Sequence, residues 1–224
     1  MKNTLTSIIA LAALTLAVSP LAAQAQTAQG WSEPTAQVQA LRAKADPKHG
    51  EAIFMPCESC HRKDAAGRSS GAYPRLAGQH FTVLVKQMLD ISSGLRTNPK
   101  MQPYVEDHIS KPEDMADVAA YLSALPIPPD RIGLGPGTTA AAGKTLFDRD
   151  CAICHGQSGE GDASKFYPMV AAQHYRYLLR ELRLIRDGDR GNSNPDMVKV
   201  IKPYREADLE ALADYMASLP PPKK

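Results

Sequence analysis

Two short runs hold all four cysteines of the 224-residue chain: Cys57-Glu58-Ser59-Cys60-His61 and Cys151-Ala152-Ile153-Cys154-His155. Two thiols three residues apart can each add to one vinyl group of a single haem. The histidine that follows then reaches the iron as its proximal ligand. A thioredoxin-like dithiol and a Cys/His zinc site also use paired cysteines. A redox dithiol, however, gives no reason for His at the next position in both copies. A structural zinc site gathers four ligands and leaves the histidines unexplained. The expected cofactors are therefore two covalently attached haem c groups, one on Cys57, Cys60 and His61, the other on Cys151, Cys154 and His155.

The sixth iron position separates a carrier from a catalyst. A ligand on both faces holds the iron through a change of oxidation state, whereas an open face admits oxygen, peroxide or substrate. Methionine thioether is the expected ligand, and an internal duplication ranks the methionines. Residues 57–80 align without a gap on 151–174 at an offset of 94, which superposes Tyr73-Pro74 on Tyr167-Pro168 and Gln79-His80 on Gln173-His174. At that offset Met88 meets Leu182, Met115 meets Leu209, Met216 meets Leu122 and Met169 meets Arg75, so these four read as core or incidental residues. One pair survives: Met101 in Arg96-Thr97-Asn98-Pro99-Lys100-Met101 and Met197 in Arg190 to Met197, each two residues past a proline. Both are expected on a loop after the middle helix of the repeat, free to fold over the distal haem face. His80 and His174 also match and are the alternative distal ligands, but a capping or surface role at a helix start suits them better. His49 and His108 have no counterpart and read as surface residues.

These ligands require three helices per repeat and no strands. The first precedes the haem motif and carries Gly50 and Phe54, or Gly143 and Phe147. The second spans Phe81 to Ile91, or His174 to Ile185, with Gly94 and Gly188 placed to end it. The third spans Glu113 to Leu125, or Glu206 to Leu219, where Leu209, Leu212, Tyr215, Met216 and Leu219 share a face. Pro126 to Thr138 (PIPPDRIGLGPGT) cannot hold a regular helix and reads as a linker. The expected division is 26–128 and 129–224.

At the N-terminus, Lys2, an apolar run from Ile8 to Val18 and Ala23-Gln24-Ala25 form a signal-peptide pattern over 1–25. Export to the periplasm follows, with retention of the leader as an anchor the alternative. Residues 26–128 carry 11 Lys/Arg and 11 Asp/Glu, and 129–224 carry 14 and 13, a balance that excludes a basic nucleic-acid binder.

The chain resembles the di-haem class I cytochromes c of the cytochrome c4 type. The likeness rests on CESCH with YPRLAGQ, CAICHG with YPMVAAQ, the two N-P-x-M segments and the closing AAYLSAL and ADYMASL, and it runs from about Asp46 to Pro220. It implies an all-α fold of two tandem class I cytochrome c domains about a pseudo-twofold axis, with haem propionates at the domain interface. It further implies that Pro74 and Pro168 carbonyls orient the proximal histidines. Gly50, Phe54 and Tyr121, and Gly143, Phe147 and Tyr215, would form the crossing of first and last helices. Two departures stand out: Arg62 replaces the usual glycine after the first motif, and Ala172 replaces glycine in the second Ala-Gly-Gln.

The expected function is carriage of single electrons between periplasmic redox partners: a membrane oxidase, a cytochrome bc complex or a dehydrogenase, with peripheral membrane contact and no catalysis. The rivals are an electron-accepting subunit of a dehydrogenase, and a di-haem peroxidase or thiosulfate-oxidising enzyme. Arg176, Arg180, Arg183 and Arg186 line one side of the middle helix of the second repeat. They read either as a solvated face or as a docking face for an acidic partner.

Overall fold

A computed structural model describes residues 36–223, so the expected signal peptide lies outside the described residues. The first half contains α1 (Ala36–Lys44), α2 (Pro47–Phe54), α3 (Glu58–His61), α4 (Phe81–Ser92), α5 (Gln102–His108) and α6 (Pro112–Ala124). The second contains α7 (Ala140–Asp150), α8 (Ala152–His155), α9 (Tyr175–Asp187), α10 (Pro195–Ile201) and α11 (Glu206–Ser218). Among the described residues the only β-type pairing is an isolated bridge between Asp162 and Tyr167. No helix among them is long and apolar enough to cross a membrane.

In each half the helix that precedes the haem motif, α2 or α7, crosses the last helix, α6 or α11, at a glycine. A Cβ on Gly50 would collide with the Asp117 carbonyl of α6, and one on Gly143 with the Ala211 carbonyl of α11. Only a residue without a side chain lets the backbones approach this closely. Beside each crossing an aromatic pair closes the contact, Phe54 with Tyr121 at 5.7 Å and Phe147 with Tyr215 at 5.4 Å between ring centroids. Asp46 caps α2 by accepting from the Lys48 and His49 amides, and Pro47 occupies the first turn. His49 is half-exposed and pairs with Asp117 at 2.7 Å.

The middle and last helices supply the remaining core. Val85, Met88 and Ile91 of α4 pack with Met115, Val118 and Leu122 of α6, and Leu178, Leu182 and Ile185 of α9 with Leu209, Leu212 and Met216 of α11. On α11 the buried face takes in Ala211, Ala213, Asp214 and Ala217 beside Leu209, Leu212 and Met216, while Tyr215 and the capping Leu219 stay partly exposed. Gly188 ends α9 with φ +87°, and Gly94 follows α4 with φ +76°.

Besides the single turns α3 and α8 formed by the haem motifs, three helices were not expected. Helix α1 lies before the repeat and places Val38 in the first core. Helices α5 and α10 occupy the stretch read as loop, so Met101 is the residue capping α5 and Met197 sits in the first turn of α10. Seven-residue helices are too short to show a full apolar period, and their prolines read as breakers although Pro is tolerated in a first turn. The linker holds one 3-10 turn, Pro129–Arg131, and is pinned rather than loose. Buried Asp214 accepts from Gly137 N, Thr139 N and Thr139 Oγ1, while Gly133 O accepts from Tyr175 N.

Candidate haem sites and the interface between them

Each C-x-x-C-H run forms a single helical turn, α3 or α8, ending at a residue of positive φ that turns the chain away. This turn presents both cysteines and the histidine to one cavity. The first cavity, about 470 Å³, is bordered by Cys57, Cys60, His61 and Met101, with Phe54, Leu84, Met88 and Leu122 among its apolar walls. The second, about 260 Å³, is bordered by Cys151, Cys154, His155 and Met197, with Leu178, Leu182 and Met216. Each methionine thus shares a cavity with the histidine of its own half.

The histidines are buried and held by one nitrogen. His61 Nδ1 donates to the Pro74 carbonyl at 3.1 Å, and His155 Nδ1 to that of Pro168 at 2.9 Å. Burial pushes His61 down to about 4 and lowers His155 as well, the proline carbonyls partly opposing the shift. Both imidazoles are therefore neutral, with the Nδ1 proton engaged and the Nε2 lone pair left to bind a metal. Burial pushes the Cys57 thiol up to about 11 and that of Cys151 up to about 12. A neutral, oriented imidazole and two thiols on one apolar cavity are the donor set that a covalently bound haem requires, and the residues fit the group twice over.

The residues after the motifs differ in strain. Gly156 (φ +77°, ψ +159°) occupies a conformation reserved for glycine, and Arg62 is forced into nearly the same one (φ +69°, ψ +160°). Its Nε is buried without a hydrogen bond and lies 3.5 Å from Asp64 Oδ1. Ala172 takes φ +53° where Gly78 takes +73°.

The sequence reading missed the interface between the halves. Arg75 N donates to Gln173 Oε1 at 2.9 Å and Gln173 Nε2 returns to Arg75 O at 3.0 Å; Met169 N and Gln79 repeat the pair, both bonds at 3.0 Å. His80 Nε2 donates to Glu160 O at 2.7 Å, and His174 Nε2 to Ala66 O at 2.8 Å. Each bond has a partner displaced by 94 residues, as a twofold axis between the repeats demands. His80 and His174 do precede α4 and α9, but neither side chain caps its helix or lies free on the surface. His174 is fully buried, and its Nδ1 accepts from Gly133 N at 3.0 Å. The signal was present in the repeat, since Gln-His recurs there without an apolar or catalytic reason.

Where the two cavities meet, Arg96 and Arg190 both pair with Glu181 at 3.0 Å, Arg190 and Asn192 reach Gln87, and Lys86 pairs with Asp90 at 2.7 Å. Coulomb attraction to the two arginines lowers the Glu181 carboxyl despite its burial. Three of the four arginines expected to line α9 are paired: Arg180 donates to Gly71 O of the other half, Arg183 pairs with Glu206, and Arg186 pairs with Asp187 and Glu206, while Arg176 is exposed.

The cytochrome c family model matches residues 47–126 and 140–220. The chain is 34% identical over 175 residues to a thiosulfate dehydrogenase electron acceptor of Stutzerimonas stutzeri, covering 74% of this chain and 79% of the relative. It is 29% identical over 187 residues to cytochrome c4 of Pseudomonas aeruginosa, covering 79% and 90%. The crystal structure of reduced recombinant cytochrome c4 from Pseudomonas stutzeri superposes with a TM-score of 0.70 at 27% identity, over 78% of this chain and 99% of that one. Two haem-binding helical repeats, joined face to face by reciprocal bonds and matched twice by one family model, make this chain a di-haem electron carrier of the cytochrome c family, in its cytochrome c4 branch.

Proposed function

We propose that the chain is a periplasmic carrier of single electrons, organised as domains 26–128 and 129–224. Cys57, Cys60, His61 and Met101 hold one haem, and Cys151, Cys154, His155 and Met197 hold the other. The observation that carries this reading is that a methionine thioether borders the same cavity as the neutral proximal histidine in each half. Covalently bound haem supplies a one-electron couple, and Met/His ligation sets it at a higher potential than bis-histidine ligation. The protein's part is to hold both ligands, bury the ring edge and avoid reorganisation as the charge changes. His61 and His155, each fixed through Nδ1, resist tilting as the iron charge changes.

The electron donor and acceptor are redox proteins of the same compartment. The likeness to a relative named as the electron acceptor of thiosulfate dehydrogenase favours a dehydrogenase as donor. A membrane oxidase then serves as the acceptor.

Carbon monoxide tests the ligation. The fully reduced holoprotein should show no change in its visible spectrum under CO, because both sixth positions are taken. Stoichiometric binding at one haem would overturn the reading in favour of an enzyme with a labile axial ligand.

A further inference from the structure

One group of metal-type donors stands clear of both haem cavities: His49 on α2 with Asp114 and Asp117 on α6. A ligand atom of each lies within 4.8 Å of the other two. None of the three borders either cavity, so the group does not depend on what the cavities hold. The helix crossing builds it, because Gly50 next to His49 lets α2 close onto the Asp117 carbonyl. Asp114 and Asp117, three residues apart, share one face of α6. Asp117 Oδ2 meets His49 Nδ1 at 2.7 Å, and its Oδ1 accepts from Asp46 N at 2.7 Å.

Ordinary structural roles account for only part of this. In the second half Asp208 matches Asp114 and accepts from the Arg205 amide at 3.0 Å, at the start of α11. Asp114 makes no hydrogen bond or ion pair among the described residues. Ala142 stands where the first half has His49, and Ala211 where it has Asp117, so the same crossing closes without either donor. The Asp117 hydrogen bond first, then the charges of Asp117, Asp114 and Asp46, hold the His49 ring above its usual pKa. Two carboxylates thus share one imidazole, and a cation among them answers both charges.

We infer that His49, Asp114 and Asp117 bind a divalent transition-metal ion of the zinc class, which ties α2 to α6 at their crossing. One imidazole and two carboxylates suit such an ion, and three protein ligands leave a further position to water. Ligand distances of about 2.0–2.2 Å set tetrahedral ligand atoms about 3.3 Å apart. The His49–Asp117 contact therefore has to open by about 0.6 Å, the difference between that spacing and the 2.7 Å observed. Asp114, tied by no bond of its own, closes the third side by turning its side chain. The ion takes the place of the proton between Nδ1 and Oδ2, and that proton passes to water.

Calorimetric titration of zinc into the untagged, oxidised holoprotein tests this, with the haem spectrum followed in parallel. One ion per chain should bind in the micromolar range without changing the spectrum. His49→Ala and Asp114→Asn should each weaken binding by at least about tenfold, the smallest loss expected when a donor goes. His108→Ala, which removes an exposed histidine outside the group, should leave it unchanged. Zinc should also raise the denaturant midpoint of the wild type and not of the two variants, since only the folded chain unites α2 with α6. Binding at millimolar zinc alone, or micromolar binding that survives both substitutions, would overturn the inference. Should the alanine variant fail to fold, Asp114→Asn decides, because it keeps the side-chain shape and breaks no hydrogen bond.

Discussion

Arg62 shows how one residue can oppose the conformation its position demands. The chain must leave the first haem motif with φ +69° and ψ +160°, a region that costs a residue with a Cβ about 1–3 kcal/mol. At the matching position the second half has Gly156. Arg62→Gly should therefore stabilise the holoprotein by about 1–2 kcal/mol, read as a higher midpoint in guanidinium chloride. A lower midpoint would show that the Asp64 contact outweighs the strain. The ligands invite a second residue-scale test. Met101→Ala should leave the fold intact and make the reduced protein bind one equivalent of CO, at the N-terminal haem. The cysteines and histidines were legible because covalent attachment fixes both type and spacing. Met101 and Met197 could be ranked only because the repeat supplied a second copy for comparison.

At the scale of elements, the helix crossings rest on the glycines at their closest approach. Gly143 touches the Ala211 carbonyl so closely that a methyl group there must push α7 away from α11. Gly143→Ala should cost about 2–3 kcal/mol, and it should lower the thermal midpoint followed at 222 nm. The same change at Gly94, where a Cβ would meet nothing, tests positive φ alone and should cost about 1 kcal/mol. The long helices α4, α6, α9 and α11 were readable from apolar spacing and terminal glycines. Helices α1, α5 and α10 were not, because their stability comes from packing on the core rather than from a periodic face of their own.

For the whole molecule, the joint between the halves is polar and buried, so it depends on protonation. His174 bonds Ala66 O through Nε2 and Gly133 N through Nδ1, an arrangement open only to the neutral ring. Burial lowers its folded-state pKa, the Ala66 carbonyl partly opposing this. In the unfolded chain the ring protonates near the ordinary value of about 6.5. As the pH falls below that value the unfolded state binds the extra proton first, so stability is full above it and declines below. Denaturant midpoints at pH 7.5 and 5.5 should differ more for the wild type than for His174→Gln. Equal differences would remove His174 from the pH response. The variant should also lose about 2 kcal/mol at pH 7.5, since it orphans the buried Ala66 carbonyl and the partly buried Gly133 amide.

The sequence by itself determined the chemistry: two attachment motifs, their histidines, a duplicated helical plan and the glycines that permit the crossings. Each of these is written in residue types at fixed short spacing, where covalent geometry and helical period leave little freedom. Only the tertiary structure decided what the repeated Gln-His pairs, Arg75 and Arg180 do. Their partners lie about 80 to 110 residues away on the other half. Such bonds form only after two folded surfaces meet, so no local pattern encodes which donor will find which carbonyl.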